Sequence, residues 1–171
     1  MKGYVQVYTG DGKGKTTAAL GLALRAAGAG LHVFIAQFVK KGNYSELESL
    51  KRFEDMIVIK QYGRTNFIKD EIAEEDRECA QRGLKEVREI LSSGTYQLVI
   101  LDEANIATYF KLFSPRELLE LIQSKSEHIE IVITGRNADA LILEHADLVT
   151  EMREVKHYYK KGLKSRSGIE K

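Results

Sequence analysis

Thr9-Gly10-Asp11-Gly12-Lys13-Gly14-Lys15-Thr16-Thr17 is the stretch of this chain best suited to phosphate chemistry. Its three glycines let the backbone turn so that successive N–H groups converge on phosphate oxygens. Lys15 supplies a point charge, Thr16 offers a hydroxyl to Mg²⁺, and a helix opening directly afterwards adds its N-terminal dipole. The P-loop pattern G-x-x-x-x-G-K-[ST] asks for glycine where this chain has Thr9 followed by Gly10. A flexible, basic, glycine-rich turn is the competing reading, but a strand before the loop and a helix after it favour phosphate binding. The expected ATP-binding residues are Gly10, Asp11, Gly12, Lys13, Gly14, Lys15, Thr16 and Thr17, with Lys15 and Thr16 catalytic.

Leu98-Val99-Ile100-Leu101-Asp102-Glu103 is an apolar run that ends in two carboxylates. Alone it is a common pattern. Paired with the loop, it is expected to deliver Asp102 and Glu103, together with Thr16, to the Mg²⁺ that bridges nucleotide phosphates. Mg–ATP is then the expected ligand, and Glu103 could also orient a water, as in hydrolysing ATPases. Ile131-Val132-Ile133-Thr134-Gly135-Arg136 ends a further strand, at the edge where open α/β sheets bind ligands. Arg136 either contacts ATP or substrate or caps a neighbouring carboxylate.

These residues need a scaffold, and the periodicity supplies one. Short Val- and Ile-rich strands are expected at Tyr4–Thr9, His32–Phe38, Met56–Tyr62, Leu98–Asp102, Ile129–Thr134 and Leu148–Met152. Helical patterns fill the intervals at Lys15–Ala29, Ser45–Glu54, Asp70–Ser92, Pro115–Ser124 and Ala138–His145. Ser45 with Glu48 and Ser114 with Glu117 read as capping boxes, while Gly28, Gly30 and Gly94 read as helix stops. The acidic cluster from Asp70 to Glu78 reads as a solvated helix start rather than a metal site. Strand–helix alternation predicts one α/β domain over residues 1–171: a mostly parallel sheet of about six strands with helices on both faces.

Composition narrows the function. The 171 residues carry 26 Lys and Arg against 25 Asp and Glu, a net charge of +1, and 43% are hydrophobic. That balance excludes a disordered chain and disfavours one built to coat nucleic acid, which needs a large basic excess. The charge is segregated: residues 1–42 hold six Lys and Arg against one Asp, and residues 151–171 hold seven against three acids. The single cysteine, Cys79, has no internal disulfide partner and reads as a small helix filler. With no apolar run long enough to span a bilayer and the first strand opening near Met1, a soluble cytoplasmic protein without a signal peptide is expected.

The stretches GYVQVYTGDGKGKTTAALGLALRAAGAG, VFIAQFVKKG, LVILDE, IVITGR and EMREVKHYYKKGLKSRSGIEK occur in this order. Together they resemble the P-loop ATP:corrinoid adenosyltransferases, which act on cob(I)alamin or cob(I)yrinic acid a,c-diamide. The resemblance runs from Gly3 to Glu170, and its loop variant TGDGKGKTT turns the Thr9 departure into a family feature. It implies a RecA-type fold and a reaction in which cobalt(I) attacks C5′ of ATP and triphosphate leaves, in cobalamin biosynthesis or salvage. It further implies that ATP lies reversed in the loop, with C5′ toward the corrin. The implied partners are ATP, a reduced corrinoid, an electron-donating reductase and a second copy in a homodimer, with neither nucleic acid nor membrane.

Corrin contacts are implied for Phe38, Arg64, Asn66, Phe67 and His157. In some relatives a Phe and a Trp displace cobalt's lower ligand; Arg64 and Asn66 stand in those places here, and Phe67 either substitutes or packs as an ordinary core residue. His157 either joins the site or is a surface histidine. Well-known bacterial relatives fold an N-terminal arm over the corrin, whereas this first strand begins almost at Met1, which leaves open how the corrin is covered. The basic residues 155–171 are expected to close on the site as a tail. The competing activities are a small P-loop ATPase or kinase and a non-catalytic corrinoid- or ATP-binding module.

Overall fold

The computed structural model describes residues 2–64 and 72–170. Six strands form one sheet: β1 (Val5–Thr9), β2 (Val33–Phe38), β3 (Ile57–Tyr62), β4 (Leu98–Asp102), β5 (Glu130–Thr134) and β6 (Leu148–Glu151). Their order is β3-β2-β4-β5-β1-β6, and all neighbours run parallel. The helices are α1 (Lys15–Gly28), α2 (Ser45–Leu50), α3 (Glu74–Ser93), α4 (Ala104–Tyr109), α5 (Pro115–Gln123) and α6 (Ala140–His145).

Alternation along the strands explains the layers. Val33 and Ile35 of β2, with Leu98 and Ile100 of β4, face a core built with Ala19, Ala23 and Ala26 of α1. Phe34, Ala36, Val99 and Leu101 face the opposite core, with Val87 and Leu91 of α3 and Leu118 and Leu121 of α5. Both faces are therefore covered, which is why the central strands read as unbroken apolar runs. The chain has the α/β architecture of a RecA-like P-loop fold. β5 lies between β1 and β4, so the phosphate loop and Asp102 approach each other across its end.

Several element boundaries differ from expectation. Ser45 does not cap α2: Tyr44 is the N-cap residue and Ser45 is already helical, so the Ser45–Glu48 capping box is not formed. That helix stops at Leu50 and passes into a 3₁₀ turn at Lys51–Phe53. α3 starts at Glu74, where the Asp76 carboxylate accepts the Ala73 N–H at 3.0 Å. The Ser114–Glu117 box forms as expected, and Gly94 ends α3 in the left-handed region at φ 68°. α4 was not expected, since six residues give too little periodicity to register.

Candidate functional site

The loop between β1 and α1 is shaped by its glycines and by a lysine that bonds back onto it. Gly10 and Gly14 take φ values of 92° and 122°, a region that side chains rarely tolerate. Lys15 Nζ donates to the carbonyls of Gly10 at 2.5 Å and Gly12 at 2.7 Å. Burial and the nearby Arg136 guanidinium lower the Lys15 pKa, partly opposed by Glu103 and Asp11. Two cations sharing a confined space repel each other, and a polyanion between them would relieve that cost.

Asp102 ends β4 as a buried hub. Its Oδ1 accepts the hydroxyls of Thr16 at 2.9 Å and Thr134 at 2.6 Å. Its Oδ2 accepts Gln37 Nε2 at 3.2 Å and Lys40 Nζ at 2.8 Å. Thr134, at the end of the intervening strand β5, also accepts the Glu103 N–H at 3.0 Å. That bond anchors Glu103 as it turns into the left-handed region at φ 59° to start α4. Burial is the largest influence on Glu103 and raises its pKa, with Lys40 opposing and Asp102 reinforcing the shift.

The arrangement is an all-oxygen donor set of the kind a hard divalent cation takes. Lys40 Nζ stands 3.2 Å from the Thr16 hydroxyl, 2.8 Å from Asp102 and 3.8 Å from Glu103. A cationic group thus already occupies the point on which these oxygens converge, and Mg²⁺ fits the residues present.

The segment after β6 lies against the loop. The Gly12 N–H donates to the Met152 carbonyl at 2.6 Å. A Cβ at Gly10 or Gly12 would come within 2.5 or 2.7 Å of that same oxygen, so these glycines admit the close approach. Lys13 reaches the end of the chain, donating to the Ile169 carbonyl at 2.9 Å and lying 3.3 Å from the Glu170 carboxylate. Glu170 also holds Arg166 at 2.9 Å and accepts the Tyr158 hydroxyl. His157 caps a 3₁₀ turn, its Nδ1 accepting the Tyr159 N–H at 3.0 Å. It also lines, with Gly12, Lys13 and Tyr158, a cleft of about 340 Å³.

The structure therefore brings Gly10 through Thr16, Asp102, Glu103 and Arg136 into one region, with His157 at its border. Arg136 is half-exposed, 3.9 Å from the Asp11 carboxylate, and Thr17 is exposed in the first turn of α1. Phe38 is a correction: it has no exposed surface and packs against the rings of Tyr62 and Phe113, so it serves the core. Arg64 pairs with Glu75 at 3.4 Å and Asp76 at 3.8 Å, at the start of α3. Asn66 and Phe67 lie outside the described residues.

Sequence reasoning missed Lys40, Gln37 and Thr134 as site residues. A faint signal existed for each: Gln37 is the one polar residue in the buried run Val33–Phe38, and Thr134 and Lys40 lie at or just beyond strand ends.

Comparisons with known proteins cover nearly the whole chain. The family described as "ATP:corrinoid adenosyltransferase BtuR/CobO/CobP" matches residues 1–170. A corrinoid adenosyltransferase of Escherichia coli (strain K12) is 34% identical over 170 residues, covering 99% of this chain and 86% of the relative. One from Pseudomonas aeruginosa is 33% identical, with 99% and 84% covered. One from Sinorhizobium is 31% identical, with 99% and 80% covered. A phosphate loop joined through Thr16 to Asp102, inside a sequence that matches from end to end, places this chain in the ATP:corrinoid adenosyltransferase family.

Proposed function

We propose that the chain transfers the 5′-deoxyadenosyl group of ATP to cobalt(I) of a reduced corrinoid and releases triphosphate. The observation that carries this reading is the hydrogen bond from Thr16 to Asp102, which ties the phosphate loop to the carboxylate at the end of β4. Cobalt(I) brings its own electron pair, so no protein nucleophile is required. The C5′–O bond breaks, its electrons leave with triphosphate, and a cobalt–carbon bond forms with cobalt formally oxidised to the trivalent state. No proton moves in this step.

The protein's work is to position ATP and neutralise the leaving group. Lys15 exchanges its bonds to the Gly10 and Gly12 carbonyls for phosphate oxygens, and the loop N–H groups turn onto the same chain. Arg136, beside Asp11 of the loop, contributes a second cation. Thr16, Asp102 and Glu103 would hold Mg²⁺, which supplies charge neutralisation of the polyphosphate when bound. ATP lies reversed, with C5′ toward the corrin. Arg64, Asn66 and Phe67 contribute the corrin side, with His157 approaching from the tail. The enzyme works in the cytoplasm as a homodimer supplied by an electron-donating reductase.

Incubation with ATP, Mg²⁺ and chemically reduced cobalamin tests the proposal. The expected product is a light-sensitive adenosylcorrinoid, seen by its absorbance change on illumination. ADP and phosphate without any corrinoid product would contradict it.

A further inference from the structure

Lys40 has no assigned part in the reaction, yet its placement is costly. The residue before it, Val39, is β-branched and still adopts a left-handed conformation at φ 60°. The turn is buttressed by Gly63, where a Cβ would lie 2.5 Å from the Lys40 nitrogen and 2.7 Å from its carbonyl oxygen. A strained residue and a close-packed glycine together aim one side chain inward. Only 17% of that side chain is exposed.

The ammonium ends among the oxygens that the proposed function gives to magnesium. It donates to Asp102 Oδ2 at 2.8 Å and to the Thr16 hydroxyl at 3.2 Å, with Glu103 Oε1 at 3.8 Å. The Thr16 hydroxyl gives its own proton to Asp102 Oδ1, so its lone pair faces the cation, as a metal ligand's must. Asp102 and Glu103 are adjacent in the chain and largely removed from water. Without a cation between them, their charges would repel.

We infer that Lys40 is an internal counter-ion, holding the metal ligands in place before nucleotide arrives and yielding to the magnesium that enters with ATP. The inference rests on the magnesium reading proposed above. A tethered ammonium competes with free divalent ions at high effective concentration. Free metal then binds poorly, and only a metal that brings phosphate ligands with it displaces the lysine. The enzyme thereby favours the Mg–ATP complex over metal followed by nucleotide.

Mn²⁺, visible by electron paramagnetic resonance, serves as the probe. Wild-type protein without nucleotide is expected to bind it weakly, and Lys40→Met at least about tenfold more tightly. Lys40→Arg, which keeps a cation, stays weak like the wild type. Mg²⁺ alone should raise the melting temperature of Lys40→Met and leave that of the wild type unchanged. If Lys40→Met does not fold, Lys40→Gln removes the charge while keeping a hydrogen-bond donor. Equal Mn²⁺ affinity in wild type and the neutral variant, with ATP-dependent binding intact in wild type, overturns the role of Lys40 alone. Failure of wild-type protein to retain Mn²⁺ even with ATP overturns the magnesium reading, and this inference with it.

Discussion

The loop after β1 and the turn after β2 both present a lysine at the carboxyl edge of the sheet, but they are built in opposite ways. The first uses glycine at its positive-φ positions, and Lys15 bonds to carbonyls of its own loop. The second forces Val39 into a positive φ, and Lys40 bonds to Asp102 of β4 and Thr16 of α1. One site is written in the backbone of a single segment. The other exists only once three separate segments have met. The first is therefore visible as a motif, while the second becomes visible only through topology.

Substitutions can break this contrast. The largest effect belongs to Lys15→Ala, which on the proposed function removes a cation that neutralises the leaving triphosphate. A loss of at least about 100-fold in kcat, on the order of 3 kcal/mol, is expected with little change in melting temperature. Steady-state kinetics with reduced cobalamin measures it, and wild-type turnover would remove Lys15 from the reaction.

Gly63→Ala tests the second construction. Its new Cβ must push the backbone of Val39 and Lys40, so a stability loss of about 1–3 kcal/mol is expected, read by denaturant unfolding. Gly12→Ala tests the first, since its Cβ would press on Met152 and Arg153. That segment follows the edge strand β6 and can yield, so a loss nearer about 1 kcal/mol is expected, together with weaker ATP binding by calorimetry. Equal stability losses would mean that the tail is as firmly seated as the turn.

The smallest effects concern pH, and two carboxylates respond in opposite directions. Arg166 first, then Tyr158, hold the Glu170 carboxyl well below the usual range. Its contribution is present above the ordinary carboxylate pKa and is lost as pH falls below it, so residues 153–170 should become more sensitive to an acid-active protease as pH drops. Glu170→Gln should remove that dependence. Burial raises the Glu103 pKa, so its contribution is present at low pH and lost as pH rises through the raised value. Glu103→Gln should flatten that part of the stability profile.

Much of this was legible in the chain. The six strands lie within a residue or two of their apolar runs; the central strands β2 and β4, buried on both faces, are the plainest, because they leave little else to read. Helix starts were harder. Ser45 carries the right side chain for a cap but sits one residue inside the helix, and the acid-rich run after Asp70 does not mark where α3 begins. The family resemblance implied a corrin contact for Phe38, yet its side chain packs in the core against Tyr62 and Phe113. Glycine spacing announces Lys15, whereas nothing local announces Lys40. Its meaning depends on β2 lying beside β4, so that Gln37 pairs in register with Asp102.

The central claim is that this phosphate loop serves alkyl transfer with triphosphate as the leaving group. Phosphorus NMR of a single reaction mixture, read beside the adenosylcorrinoid yield, tests it most directly. The account predicts one intact triphosphate for each adenosylcorrinoid formed, with no ADP. ADP and orthophosphate in place of triphosphate would contradict it.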